Sequence, residues 1–222
     1  MKTTMKTKLF LSMLTIAIGF TACKKDSPDP VVETVITETV TELDAQADST
    51  INTNFGLVHF GPYTKFSFSE GGIVSDSAEN WDIAFRNSKI LVNGGVGEPQ
   101  DLEQPNRTGD AAAYIIDGEM GDITSVNEDL LMQDGDNQGM YGTTAIIDDQ
   151  GQAGLGWSIY NPLATPFPML EAAAGKILVF RTHNNRYAKV EITGFYDAAM
   201  TNSYGGFYTF NYVYQSDGTT TF

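Results

Sequence analysis

The segment FYTFNYVYQ, residues 207–215, places the tightest constraint on what this chain can fold into. Tyr208, Phe210, Tyr212 and Tyr214 occupy alternate positions, with Thr209, Asn211 and Val213 between them. Side chains alternate sides along an extended strand but not along a helix, so the pattern requires a β-strand with one aromatic face. Such a face reads as core rather than as a ligand platform, and a second layer has to cover it. Just upstream, KILVFRT (176–182), the turn His183-Asn184-Asn185-Arg186 and YAKVEITGFY (187–196) read as a β-hairpin.

The remaining signals are mostly of the same kind. FGLVHF (55–60), TKFSFS (64–69), NWDIAF (80–85), SKILV (88–92), AAAYIID (111–117) and residues 157–160 are strand-sized. In TKFSFS, Phe66 and Phe68 share a face. Asn93-Gly94-Gly95 stops the chain with residues that accept positive φ. The β-branched run VVETVITETVTEL (31–43) reads either as a first strand or as a stiff extended lead-in. Residues 96–110 and 134–142 read as loops, and ITSVNEDLLM (123–132) is the one helical segment, with Thr124 or Ser125 as its cap. There is no fixed-period repeat. The expected fold is all-β: a single sandwich-like antiparallel β domain with at most one short helix.

The N-terminus has the layout of a secretory signal. Lys2, Lys6 and Lys8 precede an apolar stretch from Leu9 to Phe20 that is short for a membrane span. Phe20-Thr21-Ala22-Cys23 resembles a bacterial lipobox, whose cysteine is acylated and becomes the new N-terminus. The expected organisation is a signal peptide over 1–22, lipidated Cys23 with a polar, proline-broken tether over 23–30, and a β domain over 31–222. The acyl chains would hold the protein on a membrane without spanning it. Cys23 is the sole cysteine, so no internal disulfide is available and stability has to come from packing. The formal net charge is −15, and loss of the signal lysines makes the chain more acidic still. A chain so charged is repelled by nucleic acid and anionic lipid.

Few residues carry recognisable catalytic chemistry. There is no G-x-S-x-G elbow, and paired carboxylates of a glycosidase kind are weighed only as a minor alternative. The chain reads as a non-enzyme. His59 lies in a strand and reads as a half-buried, satisfied residue; His183 reads as an exposed turn residue. Two histidines do not make a His-rich metal site. DGDNQG (134–139) has the opening spacing of a calcium loop, but the twelfth position is Ala145 where a bidentate glutamate is needed. It therefore reads as an acidic surface loop. Among the methionines, Met132 ends an apolar run and reads as core. Met140 stands among glycines and polar residues, and Met169 follows Pro166-Phe167-Pro168, a stretch of low chain entropy. Two readings stand for this pair: adaptable apolar filler, or soft thioether ligands of the sort that suit haem iron.

The ordered set of motifs resembles the HmuY family of haem-binding lipoproteins. It comprises the lipobox at Cys23, NWDIAFRNSKILVNGG (80–95), GDAAAYIIDG (109–118), W-x-x-Y-N-P (157–162), KILVFRTHNNRYAKVEI (176–192) and YTFNYVYQ (208–215). The resemblance implies an all-β, lipid-anchored protein of the Gram-negative outer membrane, exposed at the cell surface or shed from it. It also implies capture of haem and its transfer to a TonB-dependent outer-membrane receptor. Family members hold the iron between two axial side chains, histidines in some and methionines in others. Many relatives carry a histidine close to the position of Thr165 or Phe167; this chain has none there. That departure leaves Met169 and, on the opposite loop, Met140 as axial-ligand candidates, with Tyr141 and Phe167 as pocket candidates. The alternative is a surface lipoprotein of the same fold that binds a protein or glycan without haem, using the acidic stretch 98–136 as its contact surface.

Overall fold

A computed structural model of the chain describes residues 35–54, 56–136, 145–147, 156–161, 163, 170–201 and 203–222. Within them the strands are β1 (Val35–Asp44), β2 (Ser49–Thr53), β3 (Gly56–Phe60), β4 (Thr64–Ser67), β5 (Gly72–Val74), β6 (Ile83–Arg86) and β7 (Lys89–Val92). They continue as β8 (Ala112–Asp117), β9 (Ser158–Tyr160), β10 (Leu170–Ala172), β11 (Lys176–Arg181), β12 (Tyr187–Gly194) and β13 (Phe207–Gln215). The run 31–43 is thus resolved in favour of a strand from Val35 onward. A five-stranded antiparallel sheet has the order β1-β13-β12-β11-β8, and a four-stranded one the order β5-β4-β6-β7. Two hairpins, β2-β3 and β9-β10, stand apart as two-stranded units.

The aromatic stripe of β13 explains the layering. Tyr208, Phe210, Tyr212 and Tyr214 are buried and pack in one cluster with Phe66, Ile83, Phe85, Ile90 and Val92 of the four-stranded sheet and with Phe68 just after β4. Phe66 meets Phe210 edge-on at 5.5 Å between ring centroids, and Phe85 lies 4.6 Å from Tyr208. Edge-to-face and offset contacts of this kind add roughly 0.5–1.5 kcal/mol each beyond area burial. The strand ends of the two sheets are also tied by polar groups. Tyr208 donates its hydroxyl to the Asn87 carbonyl at 2.7 Å. Asp82, just before β6, accepts from the Phe68 amide at 2.7 Å and the His183 amide at 2.9 Å, and its Oδ1 lies 2.7 Å from His183 Nδ1. Asn93 uses its whole amide. Nδ2 donates to the Glu79 and Trp81 carbonyls, and Oδ1 accepts from the Thr108 and Gly109 amides.

Two expectations about local structure are corrected here. The helical segment is a single 3₁₀ turn, Glu128–Leu130, capped by Asn127 rather than Thr124 or Ser125. Ser125 and Val126 instead pair with the C-terminus: Ser125 bridges Thr221, and the Val126 amide donates to the Thr220 carbonyl at 2.8 Å. The segment's apolar residues, Ile123, Val126 and Leu131, cover the outer face of β11 around Ile177 and Val179. That tertiary contact outweighs a modest helix preference. Met132 is not core: its backbone bridges Ala113 while its side chain is exposed.

Candidate functional site

Strand β7 is the outer strand of the four-stranded sheet, and its free edge is where the later chain is fastened. At its C-terminal end sits Asp134, whose side chain is fully buried. Asp134 Oδ2 accepts from the Val92 amide at 3.1 Å and from Arg107 Nη2 at 2.8 Å; Oδ1 accepts from the Ile146 amide at 2.9 Å. Its backbone bridges Gly95, and the Val96 amide donates to its carbonyl at 2.7 Å. A Cβ on Gly95 would fall 1.9 Å from that carbonyl oxygen, and Gly95 adopts φ 80, so the close approach demands glycine. Burial pushes the Asp134 carboxyl above its ordinary pKa, although Arg107 and the backbone donors pull the other way. One side chain therefore clamps both flanks of segment 137–144: Asp134 before it and Ile146 after it.

Further along the same edge, Ile147 bridges Ile90, and Trp157 Nε1 donates to the Ser88 carbonyl at 3.3 Å. Trp157 is buried against Phe195 and Tyr208, with ring centroids 5.3 and 5.4 Å away. From this anchor the β9-β10 hairpin departs. Tyr160 pairs with Leu170, Ile159 with Glu171 and Ser158 with Ala172, so residues 161–169 form its connection. The return strand is held by the Ala173 amide to the Trp157 carbonyl at 2.9 Å and the Leu170 amide to Tyr196 Oη at 3.2 Å. Ile159, Tyr160 and Leu163 on this hairpin are exposed. The seats of the two segments, at Val92 and Ser88, are separated by four residues of extended chain, roughly 13 Å.

The proposed ligands Met140 and Met169, the pocket residues Tyr141 and Phe167, and the lipidation site Cys23 all lie outside the described residues. What the structure describes is the frame that carries the two loops. The sequence did not mark Asp134 or Arg107 as part of that frame. The calcium-like spacing suggests a surface acid at Asp134, whereas it is a buried partner of Arg107. Asp136 likewise accepts from the Gln133 amide at 2.8 Å.

Of the two histidines, His59 lies on β3 and His183 in the turn between β11 and β12. His59 Nδ1 lies 2.8 Å from Thr50 Oγ1, and its pKa is lowered by burial and by the charges of Arg86 and Lys89. It is the satisfied, half-buried residue expected. His183 lies in the expected turn, but it is not a free surface side chain, because Asp82 holds its Nδ1.

Part of the acidic stretch 98–136 is tied into the fold. Arg86 pairs with Asp101 and Glu103, Lys89 with Glu98, Arg107 with Asp134 and Arg181 with Asp110. The Arg86 guanidinium also lies over the Tyr63 ring, 4.2 Å from its centroid, and Tyr63 donates to Asp101 Oδ2 at 2.8 Å. Glu119, Asp122, Glu128, Asp129 and Asp136 of the same stretch stay exposed.

The family model described as HmuY protein matches residues 62–212. No curated protein matches the chain. Among solved structures, the chain is similar to an apo HmuY analog (TFO) of Tannerella forsythia, at 17% identity, covering 84% of this chain and 99% of that one, with a TM-score of 0.47. It is also similar to a candidate HmuY-like heme-binding protein of Bacteroides vulgatus, at 15% identity, 82% and 92% coverage, and a TM-score of 0.47. A third, a candidate lipoprotein of Bacteroides fragilis, shows 13% identity, 82% and 91% coverage, and a TM-score of 0.45.

Proposed function

The chain belongs to the HmuY family, and on that premise we propose that it is a haem-binding surface lipoprotein. It captures haem and passes it to a TonB-dependent receptor of the outer membrane; no bond is made or broken in the cargo. The reading is supported by one observation: the segment carrying Met140 is flanked by residues fastened to the edge of β7, and the hairpin carrying Met169 is anchored beside the start of that strand through Trp157. A rigid strand buried on both faces is the kind of support that a two-sided clamp needs. The thioethers of Met140 and Met169 ligate the iron as soft axial ligands, and Tyr141 and Phe167 lie against the porphyrin. The exposed apolar side chains Ile159, Tyr160 and Leu163 suit an apolar ligand at the hairpin. Residues 1–22 are removed, Cys23 is acylated, residues 23–30 form the tether and 31–222 the binding domain.

The test is a haem titration of residues 24–222 followed by absorbance, with Met140→Ala and Met169→Ala in parallel. Saturable binding of one haem per chain, with a Soret shift lost or altered in each variant, is the expected result. A spectrum that stays that of free haem at every ratio rejects the reading.

A further inference from the structure

The connection from β7 to β8 runs over residues 93–111 without a strand or helix. That exceeds the roughly 12–15 residues beyond which such loops are uncommon in compact domains and usually functional. Its middle closes into an Ω-like loop, because both ends meet Asp134: Gly95 bridges the Asp134 backbone and Arg107 pairs with the carboxylate. Within it, the Asp101 amide donates to the Glu98 carbonyl at 3.1 Å and the Gln104 amide to the Asp101 carbonyl at 3.3 Å. The Gln104 side chain is a crossbar: Oε1 accepts from the Glu98 amide at 3.2 Å and Nε2 donates to Asp101 Oδ2 at 3.3 Å. Residues 95–98, 101–102 and 104–107 line a cavity of about 340 Å³. That is at the small end of the roughly 300–1,000 Å³ of small-molecule sites. Gly97 belongs to its wall, where a Cβ would come within 3.1 Å of Gln104 Oε1 and of Arg107 Nη1.

The charges of the lining are already matched. Glu98 pairs with Lys89, Asp101 with Arg86 and Lys89, and Arg107 with Asp134. A charged ligand would find no spare counter-charge. What remains is neutral hydrogen-bonding capacity. The side-chain amide of exposed Asn106 has no partner among the described residues, and Gln104 Nε2 has a second hydrogen to give. The Arg107 side chain is only 5% exposed, and its Nε finds no acceptor among the described residues. Buried polar groups are nearly always paired, so this donor on a cavity-lining residue points to an acceptor brought from outside. Donors and an acceptor side by side suit hydroxyl groups, which both give and accept. Beside them stand apolar side chains, Val96 at 60% and Leu102 at 92% exposure, together with Pro105.

We propose that this cavity holds one uncharged sugar ring, the terminal hexose of a glycan. The hydroxyls bond to the Asn106 and Gln104 amides and to Arg107 Nε, and the C–H face of the ring lies against Val96, Leu102 and Pro105. Two carboxylates against one guanidinium in the lining disfavour a phosphate or a carboxylate in its place. The loop is held in shape by its own hydrogen bonds, so little freedom is lost on binding. The contact is small, so a single sugar binds with a Kd on the order of 1 mM. Many copies on one membrane would hold a branched glycan more tightly by avidity. The site does not depend on haem, because Leu102 and Asn106 take no part in the Asp134 clamp.

Two-dimensional NMR of isotope-labelled residues 24–222 tests it, with glucose, galactose, mannose and N-acetylglucosamine each added to about 100 mM, far above a millimolar Kd. The expected result, with at least one of these sugars, is a saturable shift of the Gly95 and Gly97 amide signals and of the Arg107 Nε–H signal. Leu102→Ala and Asn106→Ala, both at exposed positions that leave the fold intact, each weaken that binding by about fivefold to tenfold. Absence of saturation with all four sugars, or saturation that both variants leave unchanged, overturns the proposal. So does a shift of the same signals by acetate or phosphate at lower concentration than by any sugar, because the cavity is then an anion site.

Discussion

Replacing Asp134 with alanine should loosen the seat of the Met140 segment more than any change on the loop itself. The carboxylate is fully buried and satisfies the Val92 and Ile146 amides together with Arg107, whose side chain is also almost wholly buried. Alanine strands all three donors. Each unmade buried donor costs about 1–3 kcal/mol. Removing one member of a buried ion pair typically costs about 3–5 kcal/mol, and water entering the vacated space keeps the total within that range rather than at the sum of the parts. Urea unfolding followed by the fluorescence of buried Trp81 and Trp157 reads the loss directly. Arg107→Met in the same background removes the stranded cation. The double variant should therefore be more stable than the sum of the single losses predicts, by about 0.5–3 kcal/mol. A loss within the ~0.5 kcal/mol typical of surface substitutions would refute the reasoning, because Asp134 would then be no clamp.

Two further outcomes follow from other anchors. Burial raises the pKa of Asp101, but hydrogen bonds from Arg86 and Tyr63 and the Arg86 charge outweigh it, so the group is held below its ordinary 3.8. The native state then binds fewer protons than the unfolded one between the depressed pKa and 3.8. The stabilisation is present above that ordinary value and is lost as pH falls through the depressed one. Urea midpoints of wild type and Asp101→Asn should accordingly converge at strongly acid pH and diverge toward neutrality; a constant gap contradicts this. Trp157→Ala, which empties the base of the β9-β10 hairpin, should cost about 3–5 kcal/mol in the same unfolding assay. It should also weaken haem uptake in a titration, and unchanged uptake would detach the hairpin from the site.

The sandwich was legible because its evidence is local. Alternation in FYTFNYVYQ and TKFSFS fixes which side chains face inward, and those faces are the core observed. The short strands β2, β5 and β10 were not legible because STINT, GIV and LEA carry neither an apolar run nor an alternation that marks a buried face. The 3₁₀ turn was overstated for a related reason: the apolar residues of 123–132 answer to the outer face of β11, which no local pattern encodes. The roles of Asp134 and His183 were misread for want of partners distant in sequence. Arg107 and Val92 lie 27 and 42 residues from Asp134, and Asp82 lies 101 residues from His183. The candidate ligands came from chain context and family resemblance; what the fold adds is the anchoring of the segments that flank them, by Asp134 on one side and Trp157 on the other.

The central claim is that haem is held between the segment closed by Asp134 and the β9-β10 connection. The crystal structure of the haem-loaded chain tests it most directly. The account predicts iron within bonding distance of the Met140 and Met169 sulfurs, with the porphyrin against the β9-β10 hairpin. Iron on His183 Nε2 or on His59, or haem lodged away from the β7 edge, would contradict it.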